Sequence, residues 1–269
     1  MSKIIALDAG HGMGTLGKRC LKSIDPNQTR EWWLNDRIMD IVEHTLANNY
    51  DCKVIRVDDT TGAKDIALST RVKTANNAKA DIYVSMHHNA GINGGSGGGT
   101  VVFYYSSSAA RLTQARLLYN DIVSETKLTG NRAQPVIKKA YYVLKNTNMP
   151  AFLVENGFMD SRADTPIILT QEHANKTAKG VVKFIVETLD LKTVKTQPIT
   201  SQQATGAYYP AYKGKKTTLS AALASIGVNS TYAYRKQIAK ANSIVGYTGT
   251  AAQNTQMYNL LVAGLLKRV

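Results

Sequence analysis

Two cysteines, Cys20 and Cys52, are all that the 269-residue chain contains. They are too few and too scattered for a disulfide framework or a four-cysteine zinc site, and both read as free thiols. Long apolar runs are missing as well, which excludes a membrane span. The first apolar stretch, Ile4 to Leu7, meets Asp8 too early to be the core of a signal peptide. The expectation is a soluble protein made in the cytoplasm without a signal peptide. The third absence is of one sign of charge, because no Asp or Glu follows Asp190.

What is present fits a folded protein: 43% of residues are apolar and 19% charged. The net charge of +14 is unevenly spread. Residues 1 to 190 hold 23 Lys and Arg against 19 Asp and Glu, whereas Leu191 to Val269 hold ten basic residues and no carboxylate. That last segment is suited to an anionic surface, for which nucleic acid, anionic lipid and the acidic polymers of a cell wall all qualify.

Hydrophobic periodicity divides the chain in three. Over residues 1–190, short apolar runs alternate with helical spacing, the pattern of an α/β domain with a central, mostly parallel twisted sheet flanked by helices. Strands are expected at Lys3–Leu7, Lys53–Val57, Asp81–Met86, Thr100–Tyr105 and Ala151–Val154. Helices are expected at Trp33–Asn48, Ser69–Ala80 (capped by Ser69 or Thr70), Ala110–Thr126 and His173–Leu189. Residues 191–206 are polar and aperiodic, a linker by composition. Residues 207–269 suit a small three-helix domain: Leu219, Leu223 and Ile226 share one face, Ile238 and Ala241 a second, and Met257, Leu260, Leu261 and Leu265 a third. Thr217 or Thr218, Ser230 or Thr231, and Gly249 or Thr250 stand at the three helix starts.

Candidate chemistry gathers where the strands of the first region stop, the usual place for ligands in open α/β sheets. His11 follows the first strand, His87 ends the third and Glu155 ends the last. A hydrolytic zinc ion takes three His, Asp or Glu side chains and leaves a position for water, whose proton a nearby carboxylate then moves. No short metal motif such as His-Glu-x-x-His is present, so spacing alone does not choose the ligands. The run Gly12-x-Gly14-x-x-Gly17 satisfies a dinucleotide-binding expression, yet a loop rather than a helix follows it, so these glycines read as a mobile rim beside the site. Gly94 to Gly99 reads as a second loop, either bordering the cleft or forming a bare surface turn. His44 and His173 read as structural or exposed.

Four blocks, in order, resemble one enzyme family. Asp8-Ala9-Gly10-His11-Gly12 is similar to the opening of the amidase_3 family of N-acetylmuramoyl-L-alanine amidases, and Arg30-Glu31 to its first helix start. Leu68 to Asn76 with Ala80 to Ala90, and then Tyr142 to Phe158, resemble the family's later blocks. The resemblance implies zinc held by His11, Glu31 and His87, with Glu155 as the catalytic carboxylate. Family register selects His87 over His88, an exchange of the two being the alternative. It further implies hydrolysis of the amide between N-acetylmuramic acid and L-alanine in peptidoglycan, as a phage endolysin or cell-lysis amidase acting on the wall after release. Asn131-Arg132-Ala133 departs from the family's Asn-Arg-Gly.

The basic C-terminal segment weakly resembles the wall-binding modules of endolysins. Tyr208, Tyr209 and Tyr212 beside Lys213, Lys215 and Lys216 suit sugars and anionic polymers. The expected partners are therefore peptidoglycan and anionic wall polymers, without nucleic acid or a membrane span. The competing readings are a wall- or DNA-binding protein with a silent hydrolase domain, and a different zinc peptidoglycan peptidase or carboxypeptidase.

Overall fold

The computed structural model describes residues 2–194, 207–247 and 249–269. The chain divides into two compact units, Met1–Thr196 and Gln197–Val269. In the first, Lys3–Ala9 (β1), Cys52–Arg56 (β2), Ile82–Asn89 (β3), Thr100–Tyr104 (β4), Val136–Lys138 (β5) and Ala151–Phe158 (β6) form one sheet in the order β2-β1-β3-β6-β4-β5. Every neighbouring pair is parallel except β4 with β6. Glu31–Asn49 (α1), Leu68–Asn77 (α2), Ala109–Thr126 (α3), Tyr142–Asn146 (α4), Thr165–Ile168 (α5) and Gln171–Leu189 (α6) complete the unit.

Side chains alternate between the two faces of a strand, and both faces here are apolar because helices cover both. One face sets Ile5, Leu7, Val84 and Val154 against Ile38 of α1, Leu118 of α3 and Val181 of α6. The other sets Ala6, Tyr83 and Leu153 against Val72 and Ala75 of α2 and Val143 and Leu144 of α4. This alternation decides where the polar residues point. His87 and Glu155 share the parity of Tyr83 and Leu153, whereas His88 falls on the face covered by α1.

The sheet differs from expectation in its edges. β3 continues past Met86 through both histidines to Asn89, and β6 runs beyond Glu155 to Phe158, so neither His87 nor Glu155 ends its strand. Backbone pairing carries the strands on: His87 pairs with Glu155 and Asn89 with Phe158, across a register shift. β5 was not legible because three half-exposed residues carry no alternation. α2 begins after Ala67 with no side-chain cap, so neither Ser69 nor Thr70 caps it. Leu191 to Val194 continue on the first unit, with Lys192 C=O accepting from Asp51 N–H at 2.9 Å and Val194 N–H donating to Asn49 C=O at 3.0 Å. The rest of the expected linker, 195–206, lies outside the described residues.

The second unit holds Leu219–Ser225 (α7), Tyr232–Ala241 (α8) and Ala251–Ala263 (α9). Thr231 caps α8 by accepting from Tyr234 N–H, and Thr250 forms a reciprocal capping box with Gln253 at the start of α9. Thr218 stands at the start of α7 without a side-chain bond. Leu219, Leu223, Ile238, Met257 and Leu261 form the unit's own core together with Tyr209 and Tyr212. Leu265 lies past the left-handed Gly264 that ends α9, yet it is buried. No helix among the described residues is long and apolar enough to cross a membrane.

Candidate metal centre

His11, Glu31 and His87 meet although they lie on three separate elements: each offers one ligand atom, and the three atoms are within 4.8 Å of one another. His11 sits just past β1 with φ +69°, a left-handed conformation uncommon for a side-chain-bearing residue. Glu31 is the first residue of α1, where the helix's positive end favours a carboxylate. His87 comes from β3. The carboxylate is the hub: its Oε1 lies 3.3 Å from His11 Nε2 and 3.1 Å from His87 Nδ1.

Buried ion pairs hold this geometry. Arg71 is 1% exposed and binds Asp8, which also accepts from the Tyr83 and Ser85 hydroxyls at 2.7 Å each. The same guanidinium donates to Ala9 C=O at 2.8 Å and to His11 C=O at 3.0 Å. It therefore clamps the backbone that carries the first imidazole. Losing one partner of such a buried pair typically costs about 3–5 kcal/mol, since the other charge is left uncompensated. Asp8 and Arg71 appear in the recognised blocks, but only the fold shows them paired.

Two further charges border the cluster and were missed, because both lie in loops without periodicity. Lys18 Nζ is 3.7 Å from Glu31 Oε2, and Asp65 Oδ2 is 3.9 Å from His11 Nδ1. The loop of Gly12 to Gly17 leads into an Arg19–Arg30 bridge and not into a helix, so no dinucleotide turn exists there. Arg30 ties that loop down through Met13 C=O at 2.6 Å and Thr15 C=O at 2.9 Å. Gly94 to Gly99 is no bare turn: Gly94 N–H donates to Asp160 C=O at 2.8 Å and Gly99 N–H to the Asp164 carboxylate at 2.7 Å. Asn131 accepts from Gly98 N–H at 3.2 Å, so the divergent Asn-Arg-Ala segment supports the same loop.

The electrostatics separate the two glutamates. Burial alone would raise the Glu31 carboxyl, but hydrogen bonds to His11 and His87 hold it well below the usual carboxylate range. Glu155 has no such bonds, and burial pushes its carboxyl up to about 7, with His87 opposing and the Glu31 charge adding to the rise. Its Oε2 is buried without a hydrogen-bond partner. One acid is thus held as an anion, and the other is drawn toward its protonated form.

His88 does not join the cluster. It is 2% exposed on the α1 face, with Nδ1 2.7 Å from Asn35 Oδ1. Asn35 in turn donates to Gly10 C=O at 3.1 Å, which supports the loop before His11. Burial holds His88 well below its ordinary value, hence neutral. The His44 side chain lies outside the described residues.

His173 is structural, 3% exposed, its Nε2 3.0 Å from Asn156 Nδ2. Burial, with the charges of Arg37 and Lys176, holds its pKa down to about 4. A histidine neutral in the fold but protonated near 6.5 when unfolded stabilises fully above 6.5. That stability is lost as pH falls toward 4, about 3 kcal/mol in all. Urea unfolding of the metal-free chain should therefore show His173→Gln losing about 2 kcal/mol less than the parent between about pH 7 and about pH 5. Equal losses would refute the assignment.

Gly10 packs directly under the His87 ring, which a Cβ at that position would overlap. Gly10→Ala should displace the imidazole and weaken metal binding about 10- to 100-fold, the scale seen when a ligand's support is removed. Metal titration against a chelating dye checks this, and unchanged affinity would show that the ring has room to move.

Two imidazoles and a carboxylate converging beside a carboxyl of raised pKa, near the carboxyl ends of a mostly parallel sheet, make up the equipment of a metal-assisted hydrolase. Comparison with known proteins narrows the class. Residues 5–187 match the Amidase_3 family, described as N-acetylmuramoyl-L-alanine amidase, and the chain belongs to that family. It is 33% identical over 192 residues to an endolysin of Bacillus phage SPP1, covering 71% of this chain and 68% of the relative. A sporulation-specific N-acetylmuramoyl-L-alanine amidase of Bacillus subtilis is 25% identical over 188 residues, covering 70% of this chain and 69% of the relative. Among solved structures, an N-acetylmuramoyl-L-alanine amidase from Clostridium difficile 630 matches with a TM-score of 0.62 and 27% identity, over 70% of this chain and 97% of that one. The unit Gln197–Val269 lies beyond the family match.

Proposed function

We propose that the chain hydrolyses the amide between N-acetylmuramic acid and L-alanine in bacterial peptidoglycan, with zinc held by His11, Glu31 and His87 and with Glu155 moving the proton. The observation that carries this reading is the convergence of three donor atoms within 4.8 Å inside the family-matched region. The donor set fits zinc: two imidazole nitrogens and a carboxylate oxygen leave a coordination position open, and buried Glu31 Oε2 has no hydrogen-bond partner. A zinc ion bound there supplies Lewis acidity, polarising the amide carbonyl and acidifying a water.

The chain's own residues do the rest. Glu155 accepts a proton from water as the water oxygen bonds to the carbonyl carbon. It then gives that proton to the alanine nitrogen as the C–N bond breaks, leaving a carboxylate on the muramic acid side and a free L-alanine amino terminus. Asp8 and Arg71 hold the first ligand in place, and Lys18 sets positive charge at Glu31.

The basic C-terminal unit delivers this site to the wall, since joining a binder to a cutter raises the local concentration of the cutter. This arrangement suits a phage endolysin or a cell-lysis amidase. Digestion of purified peptidoglycan, with and without chelator, tests the proposal through the masses of the products. New L-alanine termini that vanish with chelator support it. Release of terminal D-alanine would make the chain a carboxypeptidase, and no product at all would make the hydrolase unit silent.

A further inference from the structure

Two of the tyrosines beside the lysines of the C-terminal unit are core residues and not a sugar platform. Tyr209 and Tyr212 are 5% and 6% exposed and belong to the unit's core with Leu219, Leu223 and Ile238. Stacking on a sugar needs an open ring face, which neither residue has. Tyr212 instead builds a turn. Its hydroxyl accepts from Lys216 N–H at 2.9 Å, and its ring lies so close to Gly214 that a Cβ there would overlap it. From the other side, the Tyr258 hydroxyl donates to Lys216 C=O at 2.8 Å. Both backbone groups of Lys216 are therefore held by tyrosine hydroxyls, and the turn is pinned from two sides.

That turn exposes Lys213, Lys215 and Lys216, which together with Pro210, Ser225 and Ile226 line a cavity of about 350 Å³. No Asp or Glu follows Asp190, so no acidic side chain of the unit exists to neutralise them. Three uncompensated ammonium groups on a pre-shaped turn need little ordering to meet an anion.

We propose that the Tyr212–Lys216 turn is the ligand site of the C-terminal unit, and that it binds a phosphodiester-bearing polymer of the cell wall by charge. The inference rests on the wall-directed reading given above and names the chemistry of the partner. Ammonium groups bind phosphates as point charges, and a polymer with regularly spaced phosphodiesters can engage several at once with release of its counterions. The Tyr212 ring at this turn is buried and cannot stack on a base, which disfavours single-stranded nucleic acid.

The test uses the full chain carrying Glu155→Gln, so that binding is read without turnover. Co-sedimentation is measured with purified walls and with the same walls stripped of phosphodiester polymers by hydrofluoric acid. K213Q/K215Q/K216Q should weaken binding to intact walls about 100-fold, at roughly the worth of one lysine per charge near an anionic surface. It should also lower the slope of log affinity against log salt. Stripping the walls should produce a similar loss that the triple substitution does not deepen. K236Q/K240Q, which removes exposed charge from α8, should leave binding nearly unchanged, whereas Gly214→Ala should weaken it with the charge intact. Undiminished binding to stripped walls, an equal loss for the α8 pair, or equally tight binding of duplex DNA at the same salt would each overturn the proposal. The assay is independent of catalysis: if the parental chain, with Glu155 intact, binds intact walls but releases no L-alanine, the amidase reading fails and this site stands.

Discussion

Glu155→Gln is expected to lower kcat by a factor of about 10² to 10⁴, the usual contribution of a general acid–base group, while the zinc content stays at the parental level. The amide is nearly the size of the carboxyl and keeps β6 paired with β3, so the change removes proton transfer and little else. The value near 7 for Glu155 follows first from burial, and a divalent cation at the neighbouring triad would draw it down toward the anion needed to accept a proton. The measurement pairs elemental analysis with the rate at which free L-alanine termini appear in purified peptidoglycan. A variant within about tenfold of the parent would remove Glu155 from the mechanism, and one that also lost its zinc would make it a ligand.

The second large effect separates the two adjacent histidines. His11→Ala and His87→Ala should each retain less than about a tenth of the parental zinc after dialysis, because a hydrolytic site depends on three side-chain donors. Both should be inactive as a result. His88→Ala should keep its zinc and lose about 1–3 kcal/mol of stability, since it strands the buried Asn35 amide without its partner. Elemental analysis and urea unfolding read the two outcomes separately. Zinc lost from the His88 variant but kept by the His87 variant would exchange their roles.

Much of the first unit was legible because its signals are local. Apolar runs of strand length and helical spacing placed β1 to β4, β6, α1, α3 and α6 within a few residues. The misses share a physical cause. β5 is three residues long, and its place in the sheet comes from pairing with β4, which no local pattern records. β3 and β6 outrun their apolar runs: hydrophobicity stops at Met86 and Val154, whereas pairing between the strands continues to Asn89 and Phe158. In the C-terminal unit the helix starts are readable from Thr218, Thr231 and Thr250, whereas the burial of Tyr209 and Tyr212 is not. An aromatic residue beside lysines looks the same in sequence whether its ring faces solvent or fills a core.

By itself the sequence determined the family, the alternation of strand and helix, and the division of charge at Asp190, since each is written in residue order and composition. Only the tertiary structure decided which side chains share a space. It brought His11, Glu31 and His87 onto one carboxylate oxygen, turned His88 to the opposite face, and left Lys213, Lys215 and Lys216 outside while Tyr212 went in. Those outcomes depend on strand parity, on the left-handed turn at His11 and on the packing of one turn against a buried ring. The distances that join His11, Glu31 and His87 are between residues far apart in the chain, which no local pattern encodes.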